Sequence, residues 1–502
     1  MSCRRPICRL LVALLAMLAL PCQADYPFSL GPLYDRFPTI ATPGYRTEAL
    51  GPFFYSETHP DQTTWAIPPL MAHTHDWGTD SEEFDFLYPL FTVDRFGLDY
   101  RWQFLQVFSI AGGEHEPGAE ARRITIFPIY FQQRSAISNE NYTAVFPFYG
   151  HLQKRLFRDK IFFVMFPIYG RTWKRDMVTD NYLYPLFEVR HGDRLFGWQF
   201  WPFIGREHKD VTTRTNGFGD ISIVEGYDDR FLLWPFLLRR DEGIGTDNQK
   251  ITRASLPFFS YERSPGRDST TLLWPLFSRI NDRDNQYKEW QVPWPILEFA
   301  RGKGKYGNRI WPFYGYGYNT NLEGRFVCWP FYTYRHVHGE PFDRERTRIL
   351  FFLYSNTVEQ NTETHKFRRR IDFIPFCSDR QEMDGTSRLQ IFSPLEPFMP
   401  YSKSVQRDYS PLWTAWLSER NPNTGTSRQA LLWNLYRHDA APGSTRFSFL
   451  FGLVQYQAGA DGKRLRLFYV PVMKTKPPAG TPRNQPATTS TTGLSFAATK
   501  LK

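Results

Sequence analysis

The residues most able to do chemistry lie in one short stretch, HTHDWGTDSEEFD, which begins at His73. His73 and His75 are two residues apart, so on a β-strand both side chains point to the same face. Zinc accepts imidazole nitrogens and carboxylates as ligands, and Asp76 follows directly. His73, His75 and Asp76 are therefore the candidate metal ligands. An acidic solvated loop with incidental histidines is the alternative interpretation.

The rest of the sequence offers little for catalysis. A second His-x-His pair, His336 and His338, falls in a predicted turn. Glu188 and Glu298 lie inside otherwise apolar strands, but a pair of glycosidase carboxylates is defined in space and cannot be assigned from spacing. The sequence has no GxSxG, no phosphate-binding loop and no CxxC zinc motif. We therefore expect no enzyme and assign no cofactor.

The elements that would position such residues come from a repeat. An aromatic residue, a proline and then Phe, Ile or Leu recur along the chain, as in TTLLWPLFSR, which begins at Thr270. Most consecutive copies are 17 to 22 residues apart. The prolines of the successive copies are Pro89, Pro128, Pro147, Pro167, Pro185, Pro202, Pro235, Pro275, Pro295, Pro312 and Pro330, and weaker copies occur at Pro257 and Pro375. Such a period indicates a repeat architecture.

Each unit combines about ten strand-forming residues with a polar turn, and short turns favour an antiparallel meander. We predict an all-β fold of roughly 22 strands between residues 50 and 473, with the proline inside each strand at a bend or bulge. A longer period supports hairpins, because Trp102-Gln103, Trp198-Gln199 and Trp290-Gln291 occupy equivalent places in three similar segments. A parallel solenoid with one coil per unit is the alternative topology.

Two architectures fit this meander. The strand number and dense aromatic residues favour closure as a large β-barrel, and the organisation resembles that of outer-membrane barrels in general. A proline in every strand counts against a barrel, because each removes a ladder hydrogen bond in lipid. The alternative is a soluble or peripheral β-repeat protein with a curled sheet, propeller or sandwich, in which each proline marks a regular bend.

The chain ends differ from this domain. Residues 1–24 read as a signal peptide, residues 25–49 as a lead segment and residues 474–502 as a disordered Pro/Thr/Ser-rich tail. The signal peptide predicts export. Cys328 and Cys377 are the two cysteines that remain after the signal peptide. They could form a disulfide bridge, and free thiols are the alternative.

The charge balance bears on partners. The 61 basic and 51 acidic residues are interspersed. This surplus favours lipopolysaccharide, phospholipid head groups or anionic polysaccharide as partners, although bland solvated surfaces also carry it, and we expect no nucleic acid partner. The leading hypothesis is a non-enzymatic outer-membrane β-barrel protein with a structural or transport role. The alternative is a periplasmic or surface β-repeat protein that binds envelope polysaccharide or another envelope protein.

Overall fold

A computed structural model describes residues 29–114, 120–215, 219–399, 402–460 and 462–475. The predicted signal peptide and nearly all of the predicted disordered tail lie outside the described residues. Among the described residues, no helix has the length and apolarity that crossing a membrane requires.

The described residues form short strands, most of them of five to seven residues, joined by tight turns. In chain order the strands are β1 Asp35–Pro38, β2 Tyr45–Ala49, β3 Phe54–Thr58, β4 Gln62–Ile67, β5 Met71–Asp76, β6 Ser81–Phe86, β7 Phe91–Phe96, β8 Asp99–Phe104, β9 Phe108–Glu114, β10 Glu120–Ile126, β11 Tyr130–Ser135, β12 Tyr142–Val145, β13 Tyr149–Arg155, β14 Arg158–Val164, β15 Tyr169–Lys174, β16 Met177–Tyr182, β17 Phe187–Gly192, β18 Leu195–Phe200, β19 Ile204–Lys209, β20 Thr212–Thr215, β21 Ile221–Val224, β22 Gly226–Leu232 and β23 Leu237–Ile244. They continue as β24 Lys250–Ser255, β25 Phe259–Arg263, β26 Arg267–Leu272, β27 Phe277–Asp282, β28 Tyr287–Gln291, β29 Leu297–Gly302, β30 Lys305–Ile310, β31 Tyr314–Asn319, β32 Leu322–Val327, β33 Tyr332–Val337, β34 Phe342–Ile349, β35 Tyr354–Asn361, β36 Phe367–Phe373, β37 Cys377–Gln381, β38 Ser387–Ile391, β39 Trp416–Asn421, β40 Thr426–Leu431, β41 Tyr436–Ala441, β42 Ser444–Phe449, β43 Val454–Gly459, β44 Gly462–Leu467 and β45 Val470–Lys474. The helices are α1 Lys403–Asp408 and α2 Ser410–Trp413, with single 3-10 turns at Gly31–Leu33, Gly51–Phe53 and Ser138–Glu140.

These strands confirm the all-β antiparallel meander. Forty-three of them form one sheet in which each strand pairs with its neighbours in the chain. The small β20–β21 hairpin stands apart, so β19 pairs with β22. The sheet is thus a long, narrow band with a contour of about 200 Å, at about 4.8 Å per strand.

The expected strand number and the expected place of the prolines are wrong. In TTLLWPLFSR, β26 ends at Leu272 and β27 begins at Phe277, so Pro275 lies in the turn between them. The Leu276 N–H donates to the Leu273 carbonyl over 2.9 Å, and Pro275 occupies the third turn position, where no N–H is required. The bond before Pro275 is a cis peptide. Each repeat of about 20 residues therefore holds a hairpin rather than one strand.

One face of the band carries a row of paired residues that runs from β1 to β43 without a register slip. We call it the inner row: Asp35, Glu48, Tyr55, Ala66, Ala72, Asp85, Thr92, Gln103, Ser109, Thr125, Phe131, Ala144, Gly150, Phe163, Gly170, Asn181, Glu188, Gln199, Gly205, Phe231, Leu238, Ala254, Ser260, Thr271, Ser278, Gln291, Glu298, Arg309, Gly315, Phe326, Thr333, Arg348, Ser355, Asp372, Ser378, Gln390, Leu417, Ala430, Arg437, Ser448 and Gln455. Most members are small or polar. The row explains the repeated Trp-Gln pairs, because each glutamine lies on it and the preceding tryptophan points to the opposite face.

The two ends of the band meet through this same face. Asp35 of β1 pairs with Arg437 of β41, and Tyr55 of β3 donates to the Arg407 carbonyl of α1 over 2.9 Å. Arg407 in turn donates to Thr74 over 2.6 Å and pairs with Asp85. Because both ends use one face, the band bends toward that face, which we call the inner face.

Closure as a hydrogen-bonded barrel is wrong for this sheet. Among the described strands, β1 pairs only with β2 and β45 only with β44, so no ladder of hydrogen bonds joins the two ends of the band, which touch through side chains. A membrane-spanning strand needs about 9–11 residues, which exceeds these strands. The structure is the open curled sheet that the second interpretation named.

Two other expectations concern the chain organisation. The sheet begins at Asp35, inside the segment 25–49, and its last strand ends at Lys474. Cys328 and Cys377 are free thiols.

The contact between the ends contains a carboxyl group that we expect to make stability depend on pH. Burial, together with nearby Asp85, raises the pKa of Asp408 to about 7 from 3.8. The folded state therefore retains this proton up to about pH 7, whereas the unfolded carboxyl releases it near 3.8, so the associated stability is lost progressively as pH rises from about 4 to about 7. Asp408→Asn is expected to raise the free energy of unfolding at pH 8 by roughly 1–3 kcal/mol and at pH 5 by less than half as much. Urea unfolding at both pH values checks this, and an equal effect at both would contradict it.

Candidate anion-binding cleft on the inner face

The structure divides the predicted metal ligands between two faces. His73 and His75 share the outer face of β5, opposite the inner row, whereas Asp76 points to the inner face. His75 Nδ1 lies 2.9 Å from Glu82, and Asp76 accepts from the Thr79 N–H over 3.1 Å. The structure therefore does not bring the three side chains together.

The two carboxylates considered for catalysis lie on the inner row. Glu188 pairs with Arg190 and accepts from Gln199 Nε2 over 3.2 Å. Glu298 pairs with Arg309 and lies 3.2 Å from Lys305. Both carboxylates therefore belong to ion-pair networks on the inner face.

A cleft of about 570 Å³ opens over β30 to β34. Its inner-face floor is glycine, because Gly307, Gly317 and Gly324 follow one another across three strands. The aromatic partners of this pattern point outward, where Tyr306 and Tyr318 stack with ring centroids 5.4 Å apart. The sheet is therefore thin on the inner side at this place, which leaves room for a ligand.

Arginines form one wall of this cleft. Arg335, Arg346 and Arg348 project from the inner face of β33 and β34, and we call the space between them and the glycine floor the arginine cleft. Arg335 and Arg346 are direct cross-strand partners. Like charges in that position destabilise a sheet by about 0.2–1 kcal/mol.

The three wall arginines have no acidic partner within the described part of the chain. The acids on the inner face of the next two strands are occupied: Glu359 pairs with Arg344 and Arg368, over 2.5 and 2.7 Å, and Asp372 with Arg370 over 2.6 Å.

The arginines give the cleft a positive potential, and this potential acts on Arg346. Burial lowers the pKa of Arg346, and the neighbouring cations Arg348, Arg344 and Arg335 lower it further. The wall is therefore short of negative charge, and a bound anion would supply it.

The sequence carried a signal for this site. Arg344, Arg346 and Arg348 alternate in RERTR, and residues two apart on a strand share a face. The position of the glycine floor beside these arginines could not be predicted from the sequence, because it depends on which strands are neighbours in the sheet.

We expect the wall arginines to bind phosphate groups at some cost to stability. Changing Arg335, Arg346 and Arg348 to glutamine is predicted to weaken binding of inorganic pyrophosphate at least tenfold in calorimetric titration. The same change should raise the melting midpoint without ligand, because it removes the like-charge repulsion.

Arg325→Gln is the matched control, since Arg325 is already paired with Glu323 over 2.9 Å on the outer face. Binding of pyrophosphate by the wild type should fall as salt rises. Equal affinity in the wild type and the triple variant would contradict the assignment of this cleft.

No protein-family model matches the sequence, and no curated protein matches it either.

Proposed function

We propose that this chain is a non-enzymatic, exported cell-envelope protein with a structural or transport role, held at a membrane surface by one edge of its band. In this proposal the arginine cleft selects anionic lipid head groups, such as those of lipopolysaccharide. The observation that carries the proposal is the composition of the two edges.

The edge that holds the repeat turns, which we call the proline edge, is apolar and exposed. At the turn between β22 and β23, the exposed fractions of Leu233, Trp234 and Phe236 are 49%, 48% and 53%. Equivalent exposed residues recur from turn to turn: Leu183, Tyr184, Leu186, Leu273, Trp274, Leu276, Trp311, Phe313, Trp329, Phe331, Phe351 and Phe352. Soluble monomers rarely expose an apolar surface this continuous, so we expect the proline edge to contact the apolar part of a membrane.

The opposite edge, which we call the polar edge, has turns of another kind. Its turns read HGDR before β18, DRDNQ before β28 and NTN before β32. Fewer of its turns expose large apolar residues, among them Phe96, Leu98, Leu156 and Phe157. The band is therefore amphipathic across its width.

The backbone conformation of the turns bears on the same question. Leu87, Leu183, Leu233 and Leu273 begin turns of the proline edge with φ between 44° and 50°. This left-handed conformation costs a side-chain-bearing residue about 1–2 kcal/mol, and glycine would avoid the cost. These leucines are exposed rather than packed in a core, so packing within the protein does not offset the cost; Leu156 and Phe157 at the opposite edge share the conformation.

The depth of the apolar zone indicates how the edge would sit. It comprises the turn and one strand residue on each side, such as Leu272 and Phe277, before the polar inner row begins. At about 3.3 Å per residue this zone is roughly 10 Å deep, which suits insertion into one leaflet and not a crossing of about 30 Å.

A second candidate function rests on the arginine cleft alone. A periplasmic or surface protein that binds anionic envelope polysaccharide would use the same unpaired arginines and would not need the proline edge. The two functions differ in whether lipid is required.

Vesicle flotation separates them. The purified chain should float with phosphatidylethanolamine–phosphatidylglycerol vesicles and remain bound after a wash at high salt, because apolar insertion is not screened. A protein that stays at the bottom of the gradient with these vesicles would overturn the membrane proposal. Release of the bound protein from the vesicles by high salt alone would also contradict attachment through the apolar proline edge.

A further inference from the structure

A cluster of ligand-type side chains lies on the outer face at the polar edge, away from both the arginine cleft and the proline edge. In the β33–β34 hairpin, His336 and His338 alternate along one strand and its extension, and Asp343 and Glu345 alternate along the other. His336 is the direct cross-strand partner of Glu345. Alternation places all four on the same face, while Arg344 points to the inner face.

The side chains of His336, His338 and Asp343 are close enough for one ion to reach all three after small rotations. His336 Nε2 lies 2.9 Å from Asp343 Oδ2, and His338 Nδ1 lies 3.5 Å from Asp343 Oδ1. A tetrahedral zinc with ligands at about 2.0–2.1 Å holds its ligand atoms about 3.3 Å apart. One ligand atom from each of these three residues lies within 4.8 Å of the others.

A fourth ligand is at hand. Glu345 Oε1 lies 3.9 Å from His336 Nε2, so a small rotation of this exposed side chain would complete the set. The imidazole rings approach with centroids 3.9 Å apart. His336 is the anchor of the cluster, because its side chain is only 14% exposed.

The charges around the cluster favour a cation. Glu323 of β32 is the cross-strand partner of His336 on the other side, so three carboxylates surround two imidazoles on this face. Arg325 is the cation nearest along β32, and it is paired with Glu323.

The other His-x-His segment of the chain provides an internal comparison. His75 also contacts a carboxylate of the next strand, Glu82, over 2.9 Å. His73, however, packs against Trp65 with ring centroids 5.9 Å apart. Among the described residues, the grouping of three ligand atoms is formed by His336, His338 and Asp343.

We propose that His336, His338 and Asp343, with Glu345 or water as the fourth ligand, bind one Zn²⁺ ion and clamp the β33–β34 hairpin at the polar edge. Nitrogen and carboxylate ligands in tetrahedral geometry suit zinc and not Mg²⁺ or Ca²⁺, which prefer all-oxygen sites. The ion would join the end of one strand to the start of the next.

The test uses the full chain produced without a histidine tag, stripped with EDTA and dialysed. Titration with Co²⁺ should give the intense visible absorption of a tetrahedral site at one equivalent, and Zn²⁺ should displace it. Asp343→Asn and His338→Gln, which preserve side-chain size and hydrogen bonding, should each weaken Co²⁺ binding about tenfold or more. Zn²⁺ should raise the melting midpoint of the wild type and not of these variants.

The double variant His73→Gln, His75→Gln is the matched control and should bind Co²⁺ as the wild type does. Circular dichroism of each metal-free variant checks that the fold is retained. Absence of tetrahedral Co²⁺ absorption in the wild type, or its retention in both Asp343→Asn and His338→Gln, would overturn the proposal.

Discussion

Replacing Arg437 by alanine is expected to destabilise the protein by about 3–5 kcal/mol, because the change removes the closest cation from buried Asp35 and one of the two arginines that pair with Asp439. Arg437 is 1% exposed and pairs with Asp35 and, over 3.1 Å, with Asp439. Its guanidinium carbon also lies 4.5 Å from the centroid of the Phe37 ring. These contacts join β1 to β41, so their loss should also loosen the contact between the two ends of the band, which Tyr55 and Arg407 continue to link.

Two measurements check this prediction. Urea unfolding gives the change in free energy, and small-angle scattering gives the radius of gyration, which should increase in the variant. Arg283→Ala is the matched control, because Arg283 pairs with Asp268 while both side chains are more than one third exposed. Such surface pairs contribute about 0–1 kcal/mol. A loss below 1 kcal/mol for Arg437→Ala would contradict closure of the band by its ends.

Changing four tryptophans of the proline edge to serine is expected to weaken vesicle binding about 100-fold or more. Trp234, Trp274, Trp311 and Trp329 are each 38–50% exposed, so their rings are available to lipid. A buried aromatic side chain contributes 150–250 Å², at about 25 cal/mol per Å². Even half of that area on four residues exceeds the 2.8 kcal/mol that a 100-fold change in affinity requires.

The matched control removes the same number of exposed apolar side chains from the polar edge. Phe96, Leu98, Leu156 and Phe157 changed to serine should leave vesicle binding unchanged, because that edge faces away from the membrane in the proposal. Flotation with a concentration series of vesicles gives the affinities of both variants. Equal losses in the two variants would mean that apolar exposure alone, and not its position, drives binding.

The sequence predicted the chain topology better than its dimensions. The aromatic-proline period identified a repeat, and short connections predicted the antiparallel meander that β1 to β45 form. The period alone could not distinguish one strand of ten residues from a hairpin of two shorter ones. In LLWPLF the apolar letters continue through the turn because the turn is exposed to an apolar phase in our proposal, so the usual polar signal for a turn is missing.

The candidate sites were harder to predict for a related reason. Alternation within RERTR places Arg346 and Arg348 on one face, but the glycine floor of the cleft comes from strands 20 to 40 residues earlier. His336 and His338 looked like turn residues, and only the register with Asp343 and Glu345 brings four ligands together. Spacing along the chain is informative within a strand, whereas a site on a sheet depends on which residues lie across the ladder.

The central claim, that the proline edge sits in one leaflet, is tested most directly by tryptophan quenching with brominated lipids. The chain is bound to vesicles whose acyl chains carry bromine either near the head group or near the bilayer centre. We predict strong quenching of tryptophan fluorescence by the shallow label and weaker quenching by the deep label, because the apolar zone is about 10 Å deep. Quenching no greater than in unbrominated vesicles would contradict the claim.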